Sequence, residues 1–313
     1  MNAFKRIALG MLVVPLASAV LLVGCGPSGQ AGSDETASGE AEAQAEDKGS
    51  VELAYVEWAR AVALTHVAGE ILTRLGYDVQ LSSVANAAMW QAVANGDADA
   101  HMTAWLPATH AAYYGPDGEF TDEVEDLGTT YEGAGLGLVV PDYVEEQSVS
   151  DLVANREKYD SEITGIDPGA GMMQQTEVAI ENDTLGLGAM TLLEGSGPTM
   201  TAALADAVEN QEPIVVTGWR PHWKFSRWDL RILDESSEIY GEAENIHTIA
   251  RLGLEEDKPE VYTFLKNTDW QSMSYGPVMD DISGGATPEE AAAAFVDANI
   301  DAINAALPDG MSI

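Results

Sequence analysis

Ile214-Val215-Val216-Thr217-Gly218-Trp219-Arg220-Pro221-His222-Trp223 is the stretch from which the fold is read. An apolar run that ends in Gly and then presents a Trp is the carboxyl end of a buried strand, and in an open α/β sheet ligands sit just beyond such ends. Pro221 suits the first turn of a following helix. Two more tryptophans stand at comparable exits: Trp58 after the alternating run 51–56, and Trp105 after the run 98–104 and before Leu106-Pro107. Core packing accounts for any one of them. Three placed alike, flanked by Gly, Pro or Glu, predict an aromatic box.

Upstream, strand and helix patterns alternate. After the strand 51–56, Leu64, Val67, Ile71, Leu72 and Leu75 share one helical face that Gly76 can end. Tyr77, Val79 and Leu81 alternate as a strand, Met89 and Val93 mark a helix stopped near Gly96, and a strand follows over 98–104. Beyond an acidic loop at 113–126, the run 136–140 reads as a buried strand ending at Pro141. A second unit repeats the logic. It has a helix over 151–159, a strand over 163–166, a turn at Pro168-Gly169-Ala170-Gly171 opening a helix at Met172, an Ala-rich helix over 199–208, and the strand that launches Trp219. After Trp228 the chain is expected to return to the first unit, with helices over 259–266 and 288–306. The latter is announced by Thr287-Pro288-Glu289-Glu290, where cap, first-turn proline and Glu at the third helical position agree. This alternation predicts an α/β fold with a covered, largely parallel sheet. The two units predict two lobes with a cleft between them, lobe I over 50–141 plus 238–313 and lobe II over 142–237.

The N-terminal end has a different character. Lys5-Arg6, an apolar run over 7–23 and Leu22-Val23-Gly24-Cys25 read as a signal over 1–24. The pattern resembles bacterial lipoprotein signals, which implies cleavage before Cys25 and lipid on its thiol. Cys25 is the one cysteine of the 313 residues, so no disulfide can form within a single chain. Residues 25–49 then form a Gly, Ser, Ala, Glu and Asp tether with no apolar cluster from which to build a core.

Charge narrows the partners. Lys and Arg total 14 against 52 Asp and Glu, a formal net charge of −38. Such a surface repels nucleic acid and anionic lipid, so contact with a membrane is expected through the lipid anchor alone. It also favours strong salt, a halophile-like trait, because screening mutes self-repulsion.

The candidate site has two chemical halves. Indole faces attract a cation, and a quaternary ammonium suits them because it offers methyl groups and no N–H that needs an acceptor. Gly169 and Gly171, just before a helix, can bring backbone N–H groups together at a positive helix end and seat a small anion. His110, five residues after Trp105, is a candidate neutral N–H donor to the same anion. A cation box with an anion seat defines a zwitterion site. Trp90 lies within the first-unit helix and is assigned to packing.

Ala54-Tyr55-Val56-Glu57-Trp58, Met89-Trp90, Ala104-Trp105-Leu106-Pro107-Ala108-Thr109-His110, Gly165-Ile166-Asp167-Pro168-Gly169-Ala170-Gly171-Met172 and Thr217-Gly218-Trp219-Arg220-Pro221-His222-Trp223 together resemble the glycine betaine/proline betaine-binding proteins of osmoprotective ABC importers. The resemblance runs from about residue 50 to 306. It implies a two-lobed type II solute-receptor fold and a cage of Trp58, Trp105 and Trp219 around trimethylammonium. The ligand carboxylate would meet the amides of Gly171 and Met172 and the side chain of His110. A monomeric, lipid-anchored extracytoplasmic receptor working with an ABC permease and its cytoplasmic ATPase follows from the same likeness. No cofactor or metal is implied.

Two other function classes remain to be weighed. For an enzyme, His66, His101, His110, His222 and His247 form no recognisable arrangement with a nucleophile and an acid, and show no metal-ligand spacing. A receptor for choline or another free quaternary cation would keep the box and make little use of Gly171 and His110.

Overall fold

The computed structural model describes residues Lys48–Ile313; the signal, Cys25 and the tether up to residue 47 lie outside the described residues. Nine strands form one curled sheet: β1 (Ser50–Tyr55), β2 (Asp78–Ser83), β3 (Ala100–Leu106), β4 (Val124–Pro141), β5 (Glu162–Thr164), β6 (Thr191–Leu193), β7 (Val216–Arg220), β8 (Leu230–Ile232) and β9 (Glu244–Arg251). Their order is β2-β1-β3-β9-β4-β7-β5-β6, with β8 paired to β4.

The sheet is mixed, which corrects the expectation of a largely parallel one. Two parallel triplets, β2-β1-β3 and β7-β5-β6, are each built from one of the α/β units read in the sequence. Between them run β9 and β4, antiparallel to each other and to their outer neighbours. Strand β4 is shared: Val124–Ala134 pairs with β9, while residues 135–141 pair with β7 and β8. Only the second of these parts was legible as a strand. Register shifts after Asp126, Thr129 and Tyr131 break the period of two in the first part, and Gly128 and Gly133 take positive φ there. Strand β9 was not anticipated; the buried alternation of Ile246, Thr248 and Ala250 is its signal.

Helix α1 (Ala59–Arg74) follows Trp58 and buries Leu64, Val67, Ile71 and Leu72 completely, as their spacing predicts. Each contributes about 1.5–3 kcal/mol relative to an exposed position. Helix α2 (Asn86–Asn95) ends at Gly96 in the left-handed conformation, and α3 (Val149–Ala154) passes through a 3₁₀ turn at Arg156–Tyr159. Helix α4 (Gly171–Glu181) opens at the Gly-rich turn. Helix α5 (Gly197–Asn210) packs fully buried Met200 and Leu204. The capping box at Thr287 is present, with Glu290 N–H donating to Thr287 Oγ1 at 3.2 Å, but the helix expected over 288–306 breaks at Asn299 into Pro288–Ala298 and Ile300–Ala306.

Two apolar clusters result. One packs α1 on β1 with Val261, Phe264 and Val296 of the C-terminal helices. The other joins Trp58, Trp90 and Trp105 to Met173, Met200, Leu204 and Trp219, so it draws on both triplets. No helix among the described residues is long and apolar enough to cross a membrane.

Candidate ligand-binding site

All six sequence-predicted positions, Trp58, Trp105, His110, Gly171, Met172 and Trp219, line one cavity where the two triplets meet. Trp58 directly precedes α1, as expected. Trp105 and Trp219 lie inside β3 and β7 as their penultimate residues, rather than past the strand ends. Pro221 does not open a helix. It follows a cis bond, and α6 (Lys224–Arg227) starts three residues later. The indoles are 7%, 6% and 4% exposed for Trp58, Trp105 and Trp219, which leaves their large faces in contact with the cavity and the core instead of with water.

The start of α4 lines the same cavity. Ala170 precedes the helix in an extended conformation, so the N–H groups of Gly171 and Met172 have no intrahelical acceptor and stand at the positive end of the helix. Gly171 is required there by space: a Cβ would collide with the carbonyl oxygen of Thr109. That loop is itself pinned. Buried Glu244 accepts from Thr109 N–H at 2.9 Å and from the Thr109 hydroxyl.

His110 is 1% exposed and its Nδ1 accepts the Trp105 amide at 3.0 Å. An amide can only donate, so Nε2 carries the imidazole proton, and it has no hydrogen-bond partner among the described residues. Burial lowers the His110 pKa to about 3, which keeps the ring neutral. Trp90 is fully buried against the His101, His110 and Tyr113 rings, the packing role assigned to it.

Three further residues were not foreseen. Arg60 lines the cavity, 2% exposed, with its guanidinium donating to the Met102 carbonyl at 3.2 Å and to Thr130 Oγ1 at 2.8 Å, between the rings of Tyr131 and Tyr275. A buried cation in a chain so poor in base, two residues after Trp58, was the available signal. Asp167 accepts the Trp58 indole N–H at 2.8 Å. Lys224, fully buried, holds Nζ 4.4 Å from the Trp219 ring centre with no hydrogen-bond partner among the described residues. No group of three His, Cys, Asp or Glu side chains suited to a metal occurs among the described residues.

The cavity is therefore lined by three indoles and by N–H donors that have no partner among the described residues, two of them at the positive end of a helix. That arrangement can hold a compact zwitterion without altering it.

Comparison with known proteins agrees with this geometry. A family described as the substrate binding domain of the ABC-type glycine betaine transport system matches residues 49–298. The glycine betaine/carnitine transport binding protein GbuC of Listeria monocytogenes serotype 1/2a (strain 10403S) is 45% identical over 141 residues, 45% of this chain and 47% of that protein. The matched stretch thus spans about half the length of that relative. Lactococcal OpuAC, solved in its closed-liganded conformation with glycine betaine, superposes with a TM-score of 0.76 at 36% identity, over 83% of this chain and 99% of that one. An ABC-transporter choline binding protein solved in complex with choline gives a TM-score of 0.72 at 27% identity, over 80% of this chain and 88% of that one. The α/β architecture, with two units meeting at a cleft, is the two-lobed type II solute-binding fold of these structures. With a match over most of its length, the chain belongs to the family of substrate-binding domains of ABC-type glycine betaine transport systems.

Proposed function

We propose that the protein is an extracytoplasmic receptor that takes glycine betaine, and proline betaine with it, between its lobes for import by an ABC permease with a cytoplasmic ATPase. The observation that carries this reading is the convergence of Trp58, Trp105 and Trp219 with the free amides of Gly171 and Met172 and the neutral N–H of His110 on one cavity. The rings take the trimethylammonium group and the donors take the carboxylate. Lobe I is assigned to 50–141 plus 238–313 and lobe II to 142–237, with β4 the strand that carries pairing from one to the other. Ligand contacts from both sides stabilise closure, and the closed form is what the permease meets. The receptor works as a monomer in osmoprotection and hangs from the membrane by lipid on Cys25.

The rival occupant is choline, favoured by the likeness to a choline-binding structure. The donor half of the cavity speaks against it, since a closed site leaves those N–H groups without an acceptor when the ligand has no carboxylate. Calorimetric titration with glycine betaine and choline decides. Betaine is expected to bind more tightly, and Trp219→Ala to weaken it about ten-fold or more, the loss of roughly 1–2 kcal/mol of cation–π attraction. Choline binding as tightly as betaine would reject the assignment.

A further inference from the structure

Trp58 belongs to the first triplet and Asp167 to the loop between β5 and α4 in the second. Yet the indole Nε1 donates to Asp167 Oδ2 at 2.8 Å. Trp58 is nearly buried, and its N–H has no other way of being satisfied among the described residues. Asp167 in turn has no basic side chain in ion-pair range among the described residues, so its charge is not spent on a salt bridge. The same loop is held from the first side at two more places: Asn86 Nδ2 donates to the Gly169 carbonyl at 3.1 Å, and Gly171 lies against the Thr109 carbonyl. These two contacts fix the backbone of the loop. The Asp167 contact alone involves a side chain of the proposed cage.

A carboxylate accepting an indole N–H does two things. It fixes the ring in one orientation through a charge-assisted bond, and it draws the N–H proton so that more electron density lies over the ring face. The first serves any group that packs on the ring, whereas the second acts on attraction to a cation and not on contact with an uncharged group of the same shape.

Resting on the reading of the cavity as a betaine site, we propose that Asp167 is a positioning residue that makes the site selective for cations, by bonding the Trp58 indole across the cleft and placing an unpaired negative charge behind that wall. Cage and closure are thereby coupled, because the bond exists only while the two sides are together.

Five proteins test this: wild type, Asp167→Asn, Asp167→Ala, and the pair Trp58→Phe with and without Asp167→Ala. Each is titrated calorimetrically with glycine betaine and with 3,3-dimethylbutanoate, which has the same carboxylate and outline but carbon in place of the cationic nitrogen. Circular dichroism checks each fold. Asp167→Ala is expected to weaken betaine roughly ten-fold and Asp167→Asn several-fold, with the isostere changed much less. In the Trp58→Phe background, which lacks the N–H but keeps the charge of Asp167, Asp167→Ala should cost distinctly less than it does in the wild type. Betaine affinity that survives Asp167→Ala, a loss equal for both ligands, or a full additional loss in the Trp58→Phe background would each overturn the proposal while leaving the receptor reading intact. Failure of the wild type to bind betaine would overturn that reading and the proposal with it.

Discussion

The Trp105 amide donates to His110 Nδ1 at 3.0 Å, so the imidazole is held as the tautomer with its proton on Nε2. Burial keeps it in that neutral form by lowering its pKa to about 3. A neutral donor does not titrate near neutrality. Betaine affinity should therefore be flat between about pH 5 and 8 as far as His110 is concerned. His110→Ala should cost about 1.5–3 kcal/mol, the range for a hydrogen bond to a charged group. Calorimetry across that pH range checks both. Affinity that falls as pH rises through 6 to 7 would mean an imidazolium donor and reject the tautomer argument.

Gly171→Ala tests the anion seat by space instead of by charge. The new Cβ would meet the Thr109 carbonyl, a backbone atom pinned through Glu244, so the start of α4 must move. Overpacking of this kind costs about 1–3 kcal/mol. Betaine should bind at least ten-fold more weakly, and the variant should also unfold at a lower denaturant concentration. Unchanged affinity would remove Gly171 from the site.

Lys224 offers a stability test with a definite sign. Burial, reinforced by Arg220, lowers its pKa to about 7, while His222 beside it is held neutral. Below pH 7 the amine is charged in both folded and unfolded chains, and the penalty for burying it is fully present. The Trp219 and Phe225 faces offset part of that penalty. Above pH 7 the unfolded chain binds a proton that the folded chain does not, so stability rises towards pH 10 by up to about 1.4 kcal/mol per unit. Lys224→Met should accordingly be more stable than wild type at pH 6.5, with the advantage shrinking by pH 9.5. Urea titration at the two pH values reads the difference, and a gap that widens with pH would refute the account.

The net charge of −38 predicts the response to salt. Ion pairs such as Lys48–Glu260 and Arg231–Asp142 occupy much of the small supply of base, and most carboxylates among the described residues form no ion pair. Molar salt should therefore raise the unfolding free energy by screening their repulsion. Equal or greater stability in dilute buffer, measured by denaturant titration, would count against a halophile-like surface.

What the sequence by itself determined is what local chemistry dictates. Leu64, Val67, Ile71 and Leu72 specify the buried face of α1, Gly96 ends α2, and Thr287 with Glu290 caps its helix, because each signal acts within one or two turns. Four of the cavity-lining residues were legible for the same reason: Trp58, Trp105, Gly171 and Trp219 sit beside turn and strand-end signals. Tertiary structure decided the rest. The first part of β4 is a strand because β9 pairs with it through three register shifts, which erases the alternation a sequence can show. The antiparallel β9 and β4 between two parallel triplets follow from which edges meet, and strand propensity carries no information on that. Arg60, Asp167 and Lys224 gained their places beside Met102, Trp58 and Trp219 only when the chain closed, and the Asp167 bond spans 109 positions. A hydrogen bond depends on a few ångströms and the angle of a proton, and residues that far apart acquire such coordinates only from the whole packed fold.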